Sequence, residues 1–359
     1  MKHAATDRIH GGPDPEELER LGLGALDLDR LLDFSVNVSP YGRLQSLDDV
    51  IRAARLDRYP ELQGGRARRA LAAAWEVSAE RVALGNGAAE LLFTLVQLLC
   101  AGGRTLLTVE PTFSEPAAAV RACGGRLASL RAGEDDGFRV DVAAVADAAH
   151  ACEAAAVYLC NPQNPTGRAL SIEQVAALAE ALARQRATLI VDEAFLSVSN
   201  RWEDARRPLP AEVVRVRSFT KEHGVPGLRL GALMGPVDLV QRLEAARPSW
   251  TVGAAAQAAV AVCATAEAEA HVARVRERWR QDTADLASEL ESAGYSVVPT
   301  DTVFLLMRVA NATELRRRLL VDHQILVRDC TSFGLPHHVR LAGRPESDRQ
   351  RLLAALAAA

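Results

Sequence analysis

Lysine is almost missing from this chain. Of its 42 basic residues only two are lysines, Lys2 and Lys221. A bias toward arginine and alanine codons accounts for most of that shortage. A lysine kept at 221 in such a background still needs a reason that arginine cannot meet: with a lowered pKa, lysine can form an imine with a carbonyl. Cysteine is scarce as well. The six, at 100, 123, 152, 160, 263 and 330, include no C-x-x-C pair, and the eight histidines do not stand beside them at metal-ligand spacing. Disulfide and zinc scaffolds are therefore excluded, no metal is expected, and a reducing cytoplasm is the expected location. There is no basic excess: the net charge is −4, which argues against a nucleic-acid partner. No apolar run reaches the roughly 18–20 residues of a membrane span, so no membrane partner is expected. The start, Met1 to Arg20, is polar and acid-bearing and does not read as a secretory signal.

What is present is a globular composition. The chain has 359 residues, 49% hydrophobic and 25% charged, enough for about two domains at roughly 150 residues each. Short apolar runs at Arg104–Val109, Ala155–Cys160, Thr188–Val191 and Val213–Phe219 read as strands covered on both faces. Helical stretches lie between them, such as Ser171–Arg186, which opens with the capping-box pattern Ser171-x-x-Gln174. The alternation predicts an α/β fold with a mainly parallel sheet. From about Pro248 the character changes: a long helical pattern from Ala254 to about Glu291 precedes strand-like runs at Thr302–Val309, Ile325–Arg328 and Val339–Leu341 and a helix from about Ser347. We read residues 1–40 as an N-terminal arm, 41–247 as a large α/β domain and 248–359 as a smaller α+β domain.

Four segments carry chemistry. Gly85-Asn86-Gly87-Ala88-Ala89-Glu90 is a glycine-rich turn opening a helix, and free N–H groups with a positive dipole end suit a phosphate, although a ligand-free turn is equally expected. Asn161-Pro162-Gln163-Asn164-Pro165-Thr166-Gly167 is a rigid turn that follows a buried strand, at the sheet edge where α/β ligand sites lie. Asp192, in Val191-Asp192-Glu193-Ala194-Phe195, ends another buried strand, and a carboxylate there needs a partner such as a protonated ring nitrogen. Ser218-Phe219-Thr220-Lys221 ends the next, followed by Pro226-Gly227-Leu228-Arg229-Leu230-Gly231, which joins an anion site to an amine.

In this order the segments resemble the fold type I pyridoxal-phosphate (PLP) enzymes, and within them the branch of histidinol-phosphate aminotransferase and threonine-phosphate decarboxylase. The resemblance runs from about Ile9 to Arg351. It implies a large PLP-binding domain, a smaller C-terminal domain and a homodimer with shared active sites. Residue by residue, it implies that Lys221 bonds to the cofactor aldehyde and that Asp192 keeps the ring nitrogen protonated. Asn164 would meet the ring's 3-oxygen, and Phe113 would stack on the ring. Gly87, Ala88, Ala89, Ser218, Thr220 and Arg229 would hold the phosphate, with Tyr59 reaching it from the partner subunit. Arg340 would bind the substrate α-carboxylate.

Phenylalanine stands at 195, where aminotransferases of the histidinol-phosphate type usually have tyrosine, and this favours the decarboxylase branch. Ile9-His10-Gly11-Gly12, then Asp33-Phe34-Ser35-Val36-Asn37 with Pro40, and the segment Ile325–Phe333 resemble that branch too. Pro13 departs from it, standing where the decarboxylases often have a polar residue, and Tyr41-Gly42 is closer to the aminotransferase pattern. The leading expectation is α-decarboxylation of a small phosphorylated amino acid, O-phosphothreonine, to an aminoalkyl phosphate of the cobalamin side-chain type. Arg328 is expected to read the phosphate, with His10, Gly12 and Asn37 closing over the site, although a merely structural arm is equally expected. The alternative is transamination of the histidinol-phosphate type. A more distant one is a non-catalytic PLP-binding regulator, for which no DNA-binding module is expected ahead of Ile9. His223 is expected to be solvent-exposed, His337-His338 not to be a metal pair, and Arg66, Arg68 and Arg69 to form a solvated helix face.

Overall fold

Two larger sheets and one two-stranded pair organise the described residues. The computed structural model describes residues 10–24, 26 and 28–358, so Lys2 and Ile9 lie outside the described residues. The large sheet has seven strands: β1 (Val82–Asn86), β2 (Thr105–Glu110), β3 (Arg126–Arg131), β4 (Ala154–Cys160), β5 (Thr188–Asp192), β6 (Val214–Ser218) and β7 (Leu230–Met234), in spatial order β1-β7-β6-β5-β4-β2-β3. All pairings are parallel except those of β7, which runs antiparallel to both β1 and β6. The central strands are continuously apolar because helices cover both faces. Along β4 the side chains alternate. Ala156, Tyr158 and Cys160 join the core under the helix Ala88–Cys100, whereas Val157 and Leu159 pack on the opposite face with Val175, Leu178 and Leu182. Ile190, Val214, Val216 and Leu233 share the first face, so period two puts Asp192, Ser218 and Gly231 on that face as well. The helix presses Leu91, Leu92, Leu95 and Val96 into it, each fully buried and each contributing about 1.5–3 kcal/mol.

The second sheet is antiparallel: β8 (Val297–Val298), β9 (Phe304–Arg308), β10 (Arg328–Asp329) and β11 (His338–Ala342), in order β10-β11-β9-β8. Leu32–Asp33 pairs in parallel with Ile325–Leu326, and Leu32 and Phe34 are buried in this unit's core beside Leu305, Val327 and Leu341. The helical pattern read as continuous from Ala254 is two helices, Ala254–Cys263 and Ala266–Ser292. The break is a cap: Thr265 is extended, and its side chain accepts a hydrogen bond from the Ala268 N–H. The capping box at Ser171 and Gln174 forms as the pattern predicts. Among the described residues no helix is long and apolar enough to cross a membrane.

Candidate active site

The carboxyl ends of β4, β5 and β6 deliver the floor of the site. Asp192 is buried at the end of β5, where Cys160 of β4 is its register partner. Its Oδ2 accepts from the Tyr158 hydroxyl at 2.8 Å and its Oδ1 from the Ala194 N–H at 3.0 Å. Burial pushes the Asp192 carboxyl up, while Tyr158, the Ala194 N–H and the Lys221 charge pull it back. Lys221 follows β6, and its Nζ donates to Thr220 Oγ1 at 3.2 Å; that oxygen lies 2.8 Å from Ser218 Oγ. Burial first, then the Arg229 guanidinium, push the Lys221 ammonium below the ordinary lysine range; Glu222 and Asp192 oppose this, and Arg340 adds to it. Lys221 is thus a buried amine more readily deprotonated than a free lysine, among the charges of Arg229, Asp192, Glu222 and Arg340.

Beside it, a cradle forms where β7 runs under the first turn of the helix Ala88–Cys100. Gly87 caps this helix with no side-chain hydrogen bond, which leaves the first N–H groups, those of Ala88 and Ala89 among them, for an anion. Its φ of +79° suits glycine, and a Cβ would stand 2.4 Å from Arg229 Nη2. A Cβ on Gly231 would meet Ala88 N at 2.3 Å, so β7 touches the helix start backbone to backbone. Arg229 is held in the left-handed region at φ +55°, with its guanidinium against Gly87. Helix dipole, arginine and hydroxyls converge there.

The opposite wall comes from the second sheet and the arm. Arg340 of β11 is buried; it donates to Asn164 Oδ1 and, at 2.6 Å, to the Ser35 carbonyl, and its Nε has no partner. Burial lowers its pKa to about 10, which leaves it cationic at neutral pH. Arg328 of β10 is the register partner of Arg340. It is buried too, donates to the Asp329 carbonyl at 2.7 Å and to Ser332 Oγ at 2.8 Å, and lies 4.9 Å from the Phe333 ring centroid. The Ser35 carbonyl that accepts from Arg340 and the Ser39 N–H, which donates to the Lys221 carbonyl at 2.9 Å, tie the arm to this wall and to the floor, and within the arm Ser35 Oγ accepts from the Gly12 N–H at 2.8 Å. His10 sits 5.7 Å from the Phe113 ring and 3.2 Å from Glu115. Asn37 is buried with its Oδ1 unpartnered.

Two residues stand apart. Tyr59 is 78% exposed and stacks on Trp250 at 4.7 Å, outside the site of its own chain. His223 is not solvent-exposed as expected: only 2% of it is accessible, because its ring stacks on His271 of the helix Ala266–Ser292.

With this geometry in hand, relatives identify the chain. The family model described as aminotransferase class I and II matches residues 29–356. The chain belongs to the class I and II aminotransferase family. It is 32% identical to a histidinol-phosphate aminotransferase of Halorubrum lacusprofundi over 90% of this chain and 88% of that one. It is 30% identical to the threonine-phosphate decarboxylase of Salmonella typhimurium over 98% and 97%. The structure of histidinol-phosphate aminotransferase from Sinorhizobium meliloti, in complex with pyridoxal-5′-phosphate, aligns with a TM-score of 0.83 at 25% identity, covering 98% of this chain and 97% of that one. The fold is the type I α/β fold, the chain is an enzyme, and its cofactor is pyridoxal 5′-phosphate. The residues present fit that group: an uncapped helix start beside an arginine for a phosphate, a buried carboxylate for a ring nitrogen, a buried lysine amine for an aldehyde.

Some members of this family site escaped the sequence reading. Tyr158, the hydroxyl on Asp192, is one; it was readable in principle, since Tyr158 and Cys160 share a face of β4 and Cys160 pairs with Asp192. Ser35, the bridge between Gly12 and Arg340, uses its backbone carbonyl as well as its hydroxyl, and no motif signals that.

Proposed function

We propose that the chain decarboxylates a small amino acid that carries a phosphate, with O-phosphothreonine as the model substrate. The observation that carries this reading is the pair Arg328 and Arg340, two buried guanidiniums side by side on paired strands. A substrate with both a carboxylate and a phosphate engages two such cations, each through charge-assisted hydrogen bonds. Histidinol phosphate has a phosphate and no carboxylate. Phe195 supports the same reading: it is buried edge-on to Phe304, with Lys221 Nζ 6.0 Å from its ring centroid, so no hydroxyl enters the site from this position. Transamination remains the second reading, supported by the relative in Halorubrum lacusprofundi and by Tyr41-Gly42.

In this reading Lys221 anchors the cofactor, Gly87, Ala88, Ala89, Ser218, Thr220 and Arg229 would hold its phosphate, Asn164 its 3-oxygen and Phe113 one ring face. When bound, the cofactor supplies an electron sink for the pair left behind as a bond to Cα breaks. Asp192 keeps a proton on the ring nitrogen. Arg340 orients the carboxylate, whose bond to Cα breaks as carbon dioxide leaves, and Lys221 Nζ returns a proton to Cα. His10, Gly12 and Asn37 keep water from the opening. Tyr59 reaches the site of a partner subunit; Leu56 and Leu62, exposed near it in sequence, with its neighbour Trp250, form an apolar surface for a homodimer.

The deciding experiment offers purified holoenzyme O-phosphothreonine and measures carbon dioxide, beside an amino-donor assay with 2-oxoglutarate. Carbon dioxide release without amino transfer is expected; amino transfer alone overturns the reading. Mixing Lys221→Ala with Tyr59→Ala subunits should restore activity in hybrid sites. If Tyr59→Ala is impaired and exchange restores nothing, the sites are not shared.

A further inference from the structure

Behind the Lys221 segment lies a cavity of about 710 Å³. It is lined by Phe219, Glu222 and His223, but by none of Ser218, Thr220, Lys221, Asp192, Arg229 or Arg340, so it is separate from the cofactor cradle. Of the charged side chains in its wall, two of opposite sign, Glu222 and Arg276, form poles that meet on one residue. Ser197 Oγ donates to Glu222 Oε1 at 3.1 Å, and the Ser197 carbonyl accepts from Arg276 Nη1 at 3.1 Å. Arg276 lies 3.9 Å from the Trp202 ring centroid, and among the described residues no carboxylate pairs with it. Glu222 is buried, and its second oxygen has no partner; nor has Nδ1 of buried His223. Buried polar atoms left unsatisfied cost free energy, and a ligand that satisfies them recovers it.

We propose that this cavity is a second binding site, for a small hydroxy or amino acid with an apolar side chain. Its carboxylate pairs with Arg276, and its hydroxyl or ammonium donates to the open oxygen of Glu222. Its side chain packs on Trp75, Trp202 and Val272, which share the cavity. Burial pushes Glu222 up to about 7 and His223 down to about 4. Near neutral pH the inner pole is therefore a carboxyl able to take either donor, beside an uncharged imidazole.

The test uses holoenzyme reduced with borohydride, which seals Lys221 to the cofactor, so no turnover is needed and the outcome is independent of the decarboxylase reading. L-phenyllactate and L-phenylalanine are titrated by calorimetry. Saturable binding of at least one is expected, unchanged within about twofold in Arg340→Gln and weakened about tenfold or more in Arg276→Gln and in Trp202→Ala. Binding of the hydroxy acid alone assigns a neutral donor, and of the amino acid alone an ionised Glu222. Trp202→Phe, which keeps an aromatic wall, should retain binding and covers the case in which Arg276→Gln does not fold. No saturable binding of either compound overturns the proposal. So does binding abolished by Arg340→Gln and untouched by Arg276→Gln and Trp202→Ala.

Discussion

Asp192, Ser218, Thr220 and Lys221 stand at the ends of neighbouring strands of one sheet, each placed by its own strand and turn. Arg340, Arg328, Asn164 and Ser35, which make the opposite wall, come from the second sheet, a turn of the first and the arm. The floor is fixed by one rigid element; the wall is assembled, and its geometry depends on how separate segments meet. Chemistry common to a family belongs on the first kind of structure and substrate choice on the second.

The floor should fail hardest. Lys221→Ala is expected to abolish the covalent link to the cofactor, read as lost visible absorbance, and to reduce turnover by at least about 10²–10⁴-fold through the missing proton transfer alone. An imine still reducible by borohydride in this variant would remove Lys221 from its role. Asp192→Asn should retain cofactor, yet lose turnover by orders of magnitude, because the ring nitrogen loses its charged partner. Near-normal turnover there would make Asp192 purely structural and erase the contrast between floor and wall.

Directly behind the floor, Glu222 gives a stability test. Its folded pKa, about 7, lies above the ordinary value of 4.5, chiefly because it is buried. Folding therefore favours the neutral form, so this contribution is complete below about pH 4.5 and is lost as pH rises through about 7. Glu222→Gln, neutral throughout, should gain on the wild type between about pH 5 and about pH 8, by up to about 3 kcal/mol. Denaturant unfolding at both pH values measures it. A difference that does not change with pH would mean that Glu222 ionises normally.

For the wall, losing one charge-assisted contact costs roughly 1.5–3 kcal/mol, a tenfold to hundredfold fall in kcat/KM. Arg340→Ala should weaken substrates with and without a phosphate alike. Arg328→Ala should weaken phosphorylated substrates far more than their unphosphorylated analogues. Equal losses from Arg328→Ala would show that it does not read phosphate, and would favour the aminotransferase reading.

The same division explains what could be read from sequence. The strands at 154–160 and 188–192 and the chemistry of Asp192 and Lys221 are local: an apolar run, then a polar residue at its end. The break at Thr265 was hidden because alanine-rich helices continue the pattern on both sides, and only the cap geometry interrupts them. The burial of His223 depends on His271, supplied by a helix distant in sequence, and no local pattern encodes that.

Tyr158 makes the smallest and sharpest test, because it belongs to the floor and its hydroxyl donates to Asp192. Its hydroxyl donates one hydrogen bond at 2.8 Å to a buried carboxylate. Without that donor, burial remains the main influence on Asp192 and pushes the carboxyl further up. A carboxyl with a higher pKa is a weaker partner for a protonated ring nitrogen. Tyr158→Phe keeps the ring and its packing under the helix Ala88–Cys100, so the loss is chiefly that of the bond to Asp192, about 1 kcal/mol or somewhat over fivefold in turnover. The loss should fall on kcat and leave KM nearly unchanged, since Tyr158 acts through Asp192 and not through the wall. A rise in KM with unchanged kcat would place Tyr158 among the residues that set substrate binding, and the boundary drawn between floor and wall would have to move.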